Sequence, residues 1–102
     1  MGYSLSYFED AKKDMKDAKA WYKDRSAGLD KRFAQSIKAA ILKLQVYPLA
    51  YSIRFKNIRI AYPKIFPYGI HFYVDEYNSK IVIVAIVHNK RNPDLVRSRL
   101  TQ

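Results

Sequence analysis

Two histidines and several clusters of cations are the groups in this chain with types and spacing suited to chemistry. His88, Lys90 and Arg91 fall together in "AIVHNKRNP", residues 85–93, where an apolar run ends in polar and basic groups just ahead of Pro93. An imidazole titrates near neutral pH and can serve as acid or base. A guanidinium can hold a phosphate through paired hydrogen bonds. Arg54, Lys56 and Arg59 form a second basic cluster, His71 and Tyr73 share one face of an aromatic-rich segment, and Arg97 and Arg99 follow in the tail. Converged on one spot, these groups would suffice for acid–base chemistry beside an anion. Left apart, His88 is a strand-end imidazole bonded to backbone, Arg59 an ion-pair partner of Asp75 or Glu76, and the rest solvated charge.

Other chemistries fail more clearly. Two histidines 17 positions apart, no cysteine, and Asp75–Glu76 pointing to opposite faces of a strand do not make a metal site. The only glycines are Gly2, Gly28 and Gly69, so no phosphate-cradling loop exists. No Ser-His-Asp arrangement has support beyond the residue types being present. Nothing in the residues asks for a cofactor.

The charge balance points to an anionic partner. The formal net charge is +10, from 19 Lys+Arg against nine Asp+Glu. Residues 1–47 carry ten basic and six acidic side chains, and residues 48–102 carry nine and three. The second half is thus the better place for contact with a polyanion or an acidic protein.

The elements that must position these groups are readable from periodicity. "YSLSYF" favours a short strand, and Ser6 with Glu9 has the spacing of a capping box. Phe8, Ala11, Met15, Ala18 and Tyr22 then recur at three and four, the stripe of an amphipathic helix that Gly28 can stop. With Asp30 as cap, a second helix follows through Phe33, Ile37, Ala40, Leu44 and Tyr47, and Pro48 ends it. In this hairpin one member of the Trp21–Tyr22 pair faces the sheet and the other faces outward, where it can dock a partner.

Strands come next. Ile53 and Phe55 share a face, but Ile58, Ile60 and Tyr62 hold the other phase, so a bulge or turn is expected near Lys56–Asn57. "YGIHFYVDEY" alternates, and "IVIVAIV" is apolar on both sides, as a central strand covered on both faces should be. Asn92–Pro93 reads as the cap and first position of a short tail helix. The prediction is an α+β fold: one domain over 1–102, ordered β-α-α-β-β-β with a short C-terminal helix. Its helical hairpin packs on a mostly antiparallel sheet of about four strands. No segment reads as a signal peptide or bilayer span, so a cytoplasmic protein without membrane contact is expected.

In that order "AKKDMKDAKAWYKDRSAGLDKRF", "NIR", "FPYGIHFYVDE" and "IVIVAIVHNKRNP" resemble the RelE/ParE superfamily of bacterial type II toxins, also called plasmid stabilisation proteins. The resemblance runs from about Tyr3 to Val96. It implies a growth-inhibiting toxin, a cognate antitoxin that neutralises it, and an oligomeric state set by their complex. It implies no single target, because RelE-like members cut mRNA on the ribosome whereas ParE-like members poison DNA gyrase. Under the ribonuclease reading Arg91, His88 and Arg59 are the catalytic candidates. Arg54, Lys56, Lys90, Arg97 and Arg99 would contact the target or nucleic acid, and Trp21 with Tyr22 the antitoxin. The chain departs from the ribonuclease pattern in two places. Gly69 stands where an arginine is expected after the hairpin tyrosine, and the tail beyond Arg91 has no tyrosine. The expectation therefore leans to the ParE-like branch, with the ribonuclease second and an inactive nucleic-acid- or protein-binding relative third.

Overall fold

The structure, a computed structural model, describes residues 2–101. Strand β1 (Ser4–Tyr7) leads into helix α1 (Glu9–Arg25) and helix α2 (Leu29–Val46). Their apolar stripes deliver Ala11, Ala18 and Tyr22 from α1, and Phe33, Ile37, Ile41 and Leu44 from α2, to one face of the sheet. Phe33, Ile37 and Leu44 are fully enclosed, each contributing ~1.5–3 kcal/mol of apolar burial. The helix boundaries differ from the expected caps. Ser6 is committed to β1, paired with Val82, so it cannot cap α1; Phe8 flanks the helix instead, with Glu9 and Asp10 meeting the helix dipole. Gly28 takes φ +85° immediately ahead of α2, so its left-handed turn launches the second helix and places Asp30 inside the first turn.

After a 3₁₀ turn at Pro48–Ala50 come β2 (Ile53–Phe55), β3 (Ile58–Ala61), β4 (Tyr68–Asp75) and β5 (Lys80–His88). The sheet has five strands in the order β1-β5-β4-β3-β2, one more than expected. The extra strand arises because the phase change at Lys56–Asn57 is a turn: Lys56 takes φ +49°, and Phe55 pairs back onto Ile58. Three of the four pairings are antiparallel, while β1 runs parallel to β5. β5 is an interior strand, between β1 and β4, and is buried from Ile81 to Val87. Its lower half turns Ile81 and Ile83 toward the hairpin, whereas Val84, Ala85 and Val87 join a second cluster on the opposite face.

That change of face is caused by a bulge. His71 pairs with Ala85 but Phe72 pairs with Ile83, which leaves Val84 as an extra residue in β5. The pleat shifts by one, so Ile86 faces the hairpin although it lies three positions beyond Ile83. Helix α3 (Asp94–Leu100) then crosses the second face, burying Val96 against Ile58, Val84 and Val87. Asn92 Oδ1 accepts from the Asp94 N–H at 2.9 Å, the cap expected from the sequence. No helix among the described residues is long and apolar enough to cross a membrane.

Candidate functional site

Strand β1 stops opposite Ile83, where the Phe8 N–H donates its last bond to the Ile83 carbonyl. Beyond that point the bulge turns the Val84 carbonyl and the Ile86 N–H to an edge that no strand covers. Unpaired, such groups would each cost about 1–3 kcal/mol. They are met by two side chains from distant helices. Asp14 of α1 accepts from the Ile86 N–H at 3.0 Å, and Arg99 of α3 donates to the Val84 carbonyl at 3.1 Å. Arg99 also grips Asp14 through both terminal guanidinium nitrogens, at 2.6 and 2.9 Å, and Asp10 lies 3.6 Å from its Nε. The Asp14 hydrogen bond leads the causes that raise the pKa of the Arg99 guanidinium.

This ion pair closes one end of a groove of ≈ 770 Å³ between α1, α3 and the ends of β4 and β5. His88, Arg91, Tyr68 and Trp21 line it, and so do the carboxylates of Asp10 and Asp17. A tight turn holds the His88 end: its Nδ1 accepts from the Lys90 N–H at 3.1 Å, and its carbonyl accepts from the Arg91 N–H. The imidazole is thereby held by backbone with Nε2 left for other partners. Its ring meets Tyr68 edge-on with centroids 5.5 Å apart. Burial raises the Tyr68 phenol above its usual pKa, with neighbouring Tyr22 adding to the effect and Arg91 opposing it. Tyr22 is buried and stacks on Phe33 at 5.0 Å, whereas Trp21 is 50% exposed with Arg25 over its ring at 4.2 Å. One aromatic faces inward and one outward, as the hairpin geometry requires.

The structure brings His88 and Arg91 together but disperses the other cations. Arg59 lies between Ile58 and Ile60, which face α3, so its own side chain points to the hairpin side. There it donates to the Leu49 and Tyr51 carbonyls, pinning the 3₁₀ turn, and pairs with neither Asp75 nor Glu76. Arg59 sits opposite Phe72 and His88 opposite Tyr68, a separation of roughly 13 Å along the strand direction, with one strand between. Arg54 donates to the Tyr62 hydroxyl, Lys56 holds the hairpin turn, and Lys90 projects from the β5 turn. Arg97 pairs with Asp94 at 3.5 Å and lies over Phe55. Arg99 is the clamp already described, so its charge is committed within the molecule.

Two further positions bear on the chemistry. His71 is mostly enclosed, and burial, followed by the Arg99 charge, pushes its pKa down to about 4. It is therefore neutral at pH 7. Gly69 sits where a Cβ would meet Ile60 Cγ2 at 3.0 Å and Asn89 Oδ1 at 3.3 Å, so a longer side chain there would have to displace Ile60. Among the described residues no cluster of three or more His, Cys, Asp or Glu could hold a metal ion.

Sequence reasoning passed over Tyr68 and Asp14. Tyr68 read as one of a row of apolar strand residues, and only its pairing opposite His88 brings it to the groove wall. Asp14 did leave a signal. It lies three after Ala11 and four before Ala18, an acid on the buried stripe itself, where an unpaired carboxylate would be costly.

Residues 5–93 match the family described as "ParE toxin of type II toxin-antitoxin system, parDE". No curated protein matches the chain. Among solved structures, the chromosomal ParDE toxin–antitoxin system from P. aeruginosa is similar with TM-score 0.69 and 21% identity. The match covers 84% of this chain and 95% of that one. The toxin–antitoxin complex RelBE2 from Mycobacterium tuberculosis gives 0.61 at 15% identity, covering 86% and 99%. A mutant of the E. coli toxin RelE in the free state gives 0.65 at 13% identity, covering 99% and 96%.

Proposed function

Because this chain belongs to the family of ParE toxins of type II toxin–antitoxin systems, we propose that it arrests growth by binding DNA gyrase, in the manner the ParE resemblance implies. The observation that carries this reading is the make-up of the groove beside β5. His88 and Arg91 share it with the carboxylates of Asp10 and Asp17. Asp17 is paired there with Lys13, and Asp10 and Asp14 with Arg99, so the groove is a surface of interleaved opposite charges rather than a concentrated cationic track for phosphates, and a protein surface of mixed charge would be complementary to it. Dispersal of Arg54 and Arg59 and the lack of room at Gly69 point the same way. A cognate antitoxin neutralises the toxin in this reading, the pair determines the oligomeric state, and the single domain spanning 1–102 works in the cytoplasm. Arg91 is the leading target contact, with Lys90 beside it and Trp21 at the groove's outer wall.

A second reading has one specific observation in its favour. His88, Tyr68 and Arg91 bring an imidazole, a phenol and a cation to one spot, and those three types can serve metal-independent cleavage of mRNA. The decisive experiment runs the purified chain side by side on gyrase with plasmid and on translating ribosomes with mRNA. Gyrase-dependent loss of supercoiling or accumulation of cleaved plasmid is expected. Transcript cleavage at codon positions with gyrase untouched would overturn the proposal.

A further inference from the structure

Helix α1 sorts its charges by edge. At about 100° per residue, Lys12, Lys16, Lys19 and Lys23 fall within roughly 60° of one another on one side of its axis. Asp10, Asp14 and Asp17 gather on the other side, with the buried stripe of Ala11, Ala18 and Tyr22 between. The acidic edge borders the groove beside β5, which all three aspartates line. The basic edge borders α2 instead, where Lys12 and Met15 share a groove with Lys38 and Leu42. Lys31 stands two turns before Lys38 and extends the same edge of α2.

Together these edges make one band of lysines along the seam of the helical hairpin. All six side chains are exposed. Lys12 has Glu9 at 3.3 Å, an exposed pair that neutralises little. The other five have no carboxylate partner among the described residues. Asp30, half-buried in the first turn, is the only acid of α2, so that helix supplies little counter-charge. Like charges three or four residues apart repel and weaken the helix that carries them. Lys12–Lys16, Lys16–Lys19 and Lys19–Lys23 all stand at those spacings, and a bound polyanion would remove that cost.

The make-up of the band selects among polyanions. Protein interfaces are depleted in lysine and centre on apolar or aromatic anchors. Here only Tyr7 and Leu42 reach the band, both at the Lys12–Lys38 end. Single strands stack their bases on rows of aromatic rings, and a membrane surface takes up Trp, Phe or Leu along the whole contact. Lysines alone meet phosphates as point charges. Lys12 to Lys23 spans ~16 Å of α1, with the α2 row ~8–10 Å to its side. The same ~16 Å of duplex axis carries about ten phosphates.

We propose that the seam of the α1–α2 hairpin binds the phosphate backbone of duplex DNA, without sequence preference, through this band of lysines. Under the gyrase reading the band holds the enzyme's DNA while the groove beside β5 holds the enzyme. That extension rests on the function proposed above, whereas DNA binding by the free chain does not.

The test is fluorescence anisotropy of a labelled duplex of about 24 base pairs with the purified full chain, from about 50 to 200 mM KCl. A plot of log K against log salt should have a slope of about −4 to −5, five lysines each releasing close to one counterion. Lys16→Gln/Lys19→Gln/Lys23→Gln should bring that slope nearer zero by about 2–3 and weaken binding about tenfold or more. Glutamine suits a helix, so the fold should hold. Lys31→Gln/Lys38→Gln, on the other helix, should lower the slope by about 2 independently. Lys43→Gln/Lys64→Gln/Lys80→Gln removes as much charge elsewhere and should change it by less than about one. Equal losses in both triple variants would reduce the effect to net charge and overturn the proposal. Tighter binding of single-stranded DNA, phosphatidylglycerol vesicles or a polyglutamate peptide than of the duplex would overturn it too. Gyrase inhibition is scored separately. A chain that binds duplex through the band but leaves gyrase untouched would sink the gyrase reading and leave the DNA site standing, and one that inhibits gyrase without binding duplex would do the reverse.

Discussion

Asp14 and Arg99, 85 residues apart in sequence, meet in a bidentate pair that also satisfies the two backbone groups the β5 bulge leaves open. One contact thus ties α1, β5 and α3 together. Both side chains are largely enclosed, with 15% and 10% of their surface exposed, so solvent screens the pair weakly. Removing one partner would strand a buried charge and reopen a backbone donor or acceptor. Asp14→Asn and Arg99→Ala should each cost about 3–5 kcal/mol in urea unfolding. Proteolysis should show α3 released first. If Arg99→Ala unfolds at the same urea concentration as the parent, the clamp contributes nothing.

His71 makes stability depend on pH in a defined direction. Burial holds its folded pKa at about 4, below the ordinary 6.5. Between those values the unfolded chain binds a proton that the folded chain refuses. Stability therefore rises with pH across that window and is lost as pH falls from about 6.5 toward 4. After allowance for its partial exposure, the contribution is about 1–2 kcal/mol. His71→Gln should flatten this part of the profile, leaving only the carboxylate contribution at lower pH. Parallel profiles for parent and variant would show that His71 charges freely in the folded state.

Ile65 carries strain that a single substitution can relieve. Its φ of +79° costs a β-branched residue about 1–3 kcal/mol, and its side chain is too exposed to recover this by burial. Ile65→Asn should stabilise the chain by about 1 kcal/mol, a rise in Tm of roughly 4–8 °C for a domain of this size. A lower Tm for the variant would mean that the exposed isoleucine stabilises the free chain.

The helices were legible because their spacing was unambiguous. Phe33, Ile37 and Leu44 recur at helical intervals, and the structure buries all three. The bulge at Val84 was hidden for the opposite reason. "IVIVAIV" is apolar on both sides, so slipping the pleat by one residue exposes nothing and leaves no mark in the pattern. Since the bulge creates the open edge that Asp14 and Arg99 fill, their meeting was hidden with it, and Arg99 read as a free cation. The separate β2 strand was half legible: the change of phase was visible, but whether a bulge or a turn caused it depends on Lys56 taking a positive φ. His88 and Arg91 were found as a pair because only a few residues separate them. Tyr68 joins them across a strand pairing that no local pattern announces.

Gly69→Ala probes how much room the second sheet face holds. The added Cβ would lie 3.0 Å from Ile60 Cγ2, close enough that Ile60 or the strand must move. A loss of about 1–3 kcal/mol is expected from overpacking, read from the shift in urea midpoint. Gly69→Arg should be worse and should confer no transcript cleavage, since the guanidinium cannot emerge without displacing Ile60. A stable Gly69→Arg chain that cuts mRNA would revive the ribonuclease reading outright.

Arg91 and His88 separate the two target readings when substituted singly. For a protein contact, Arg91 supplies a charge at the groove, and Arg91→Ala should weaken gyrase inhibition by about tenfold to a hundredfold. His88 is held by the backbone through Nδ1, and a glutamine amide can also offer both a donor and an acceptor to a protein surface, so His88→Gln should leave gyrase inhibition within about twofold of the parent. A ribonuclease would behave differently. There the imidazole would move a proton, and its loss should cost ~10²–10⁴ in cleavage rate. Growth arrest scored at matched expression, with unfolding curves for both variants, reads the distinction directly. If His88→Gln abolishes toxicity in a chain as stable as the parent, proton transfer at His88 is part of the mechanism and the gyrase proposal fails.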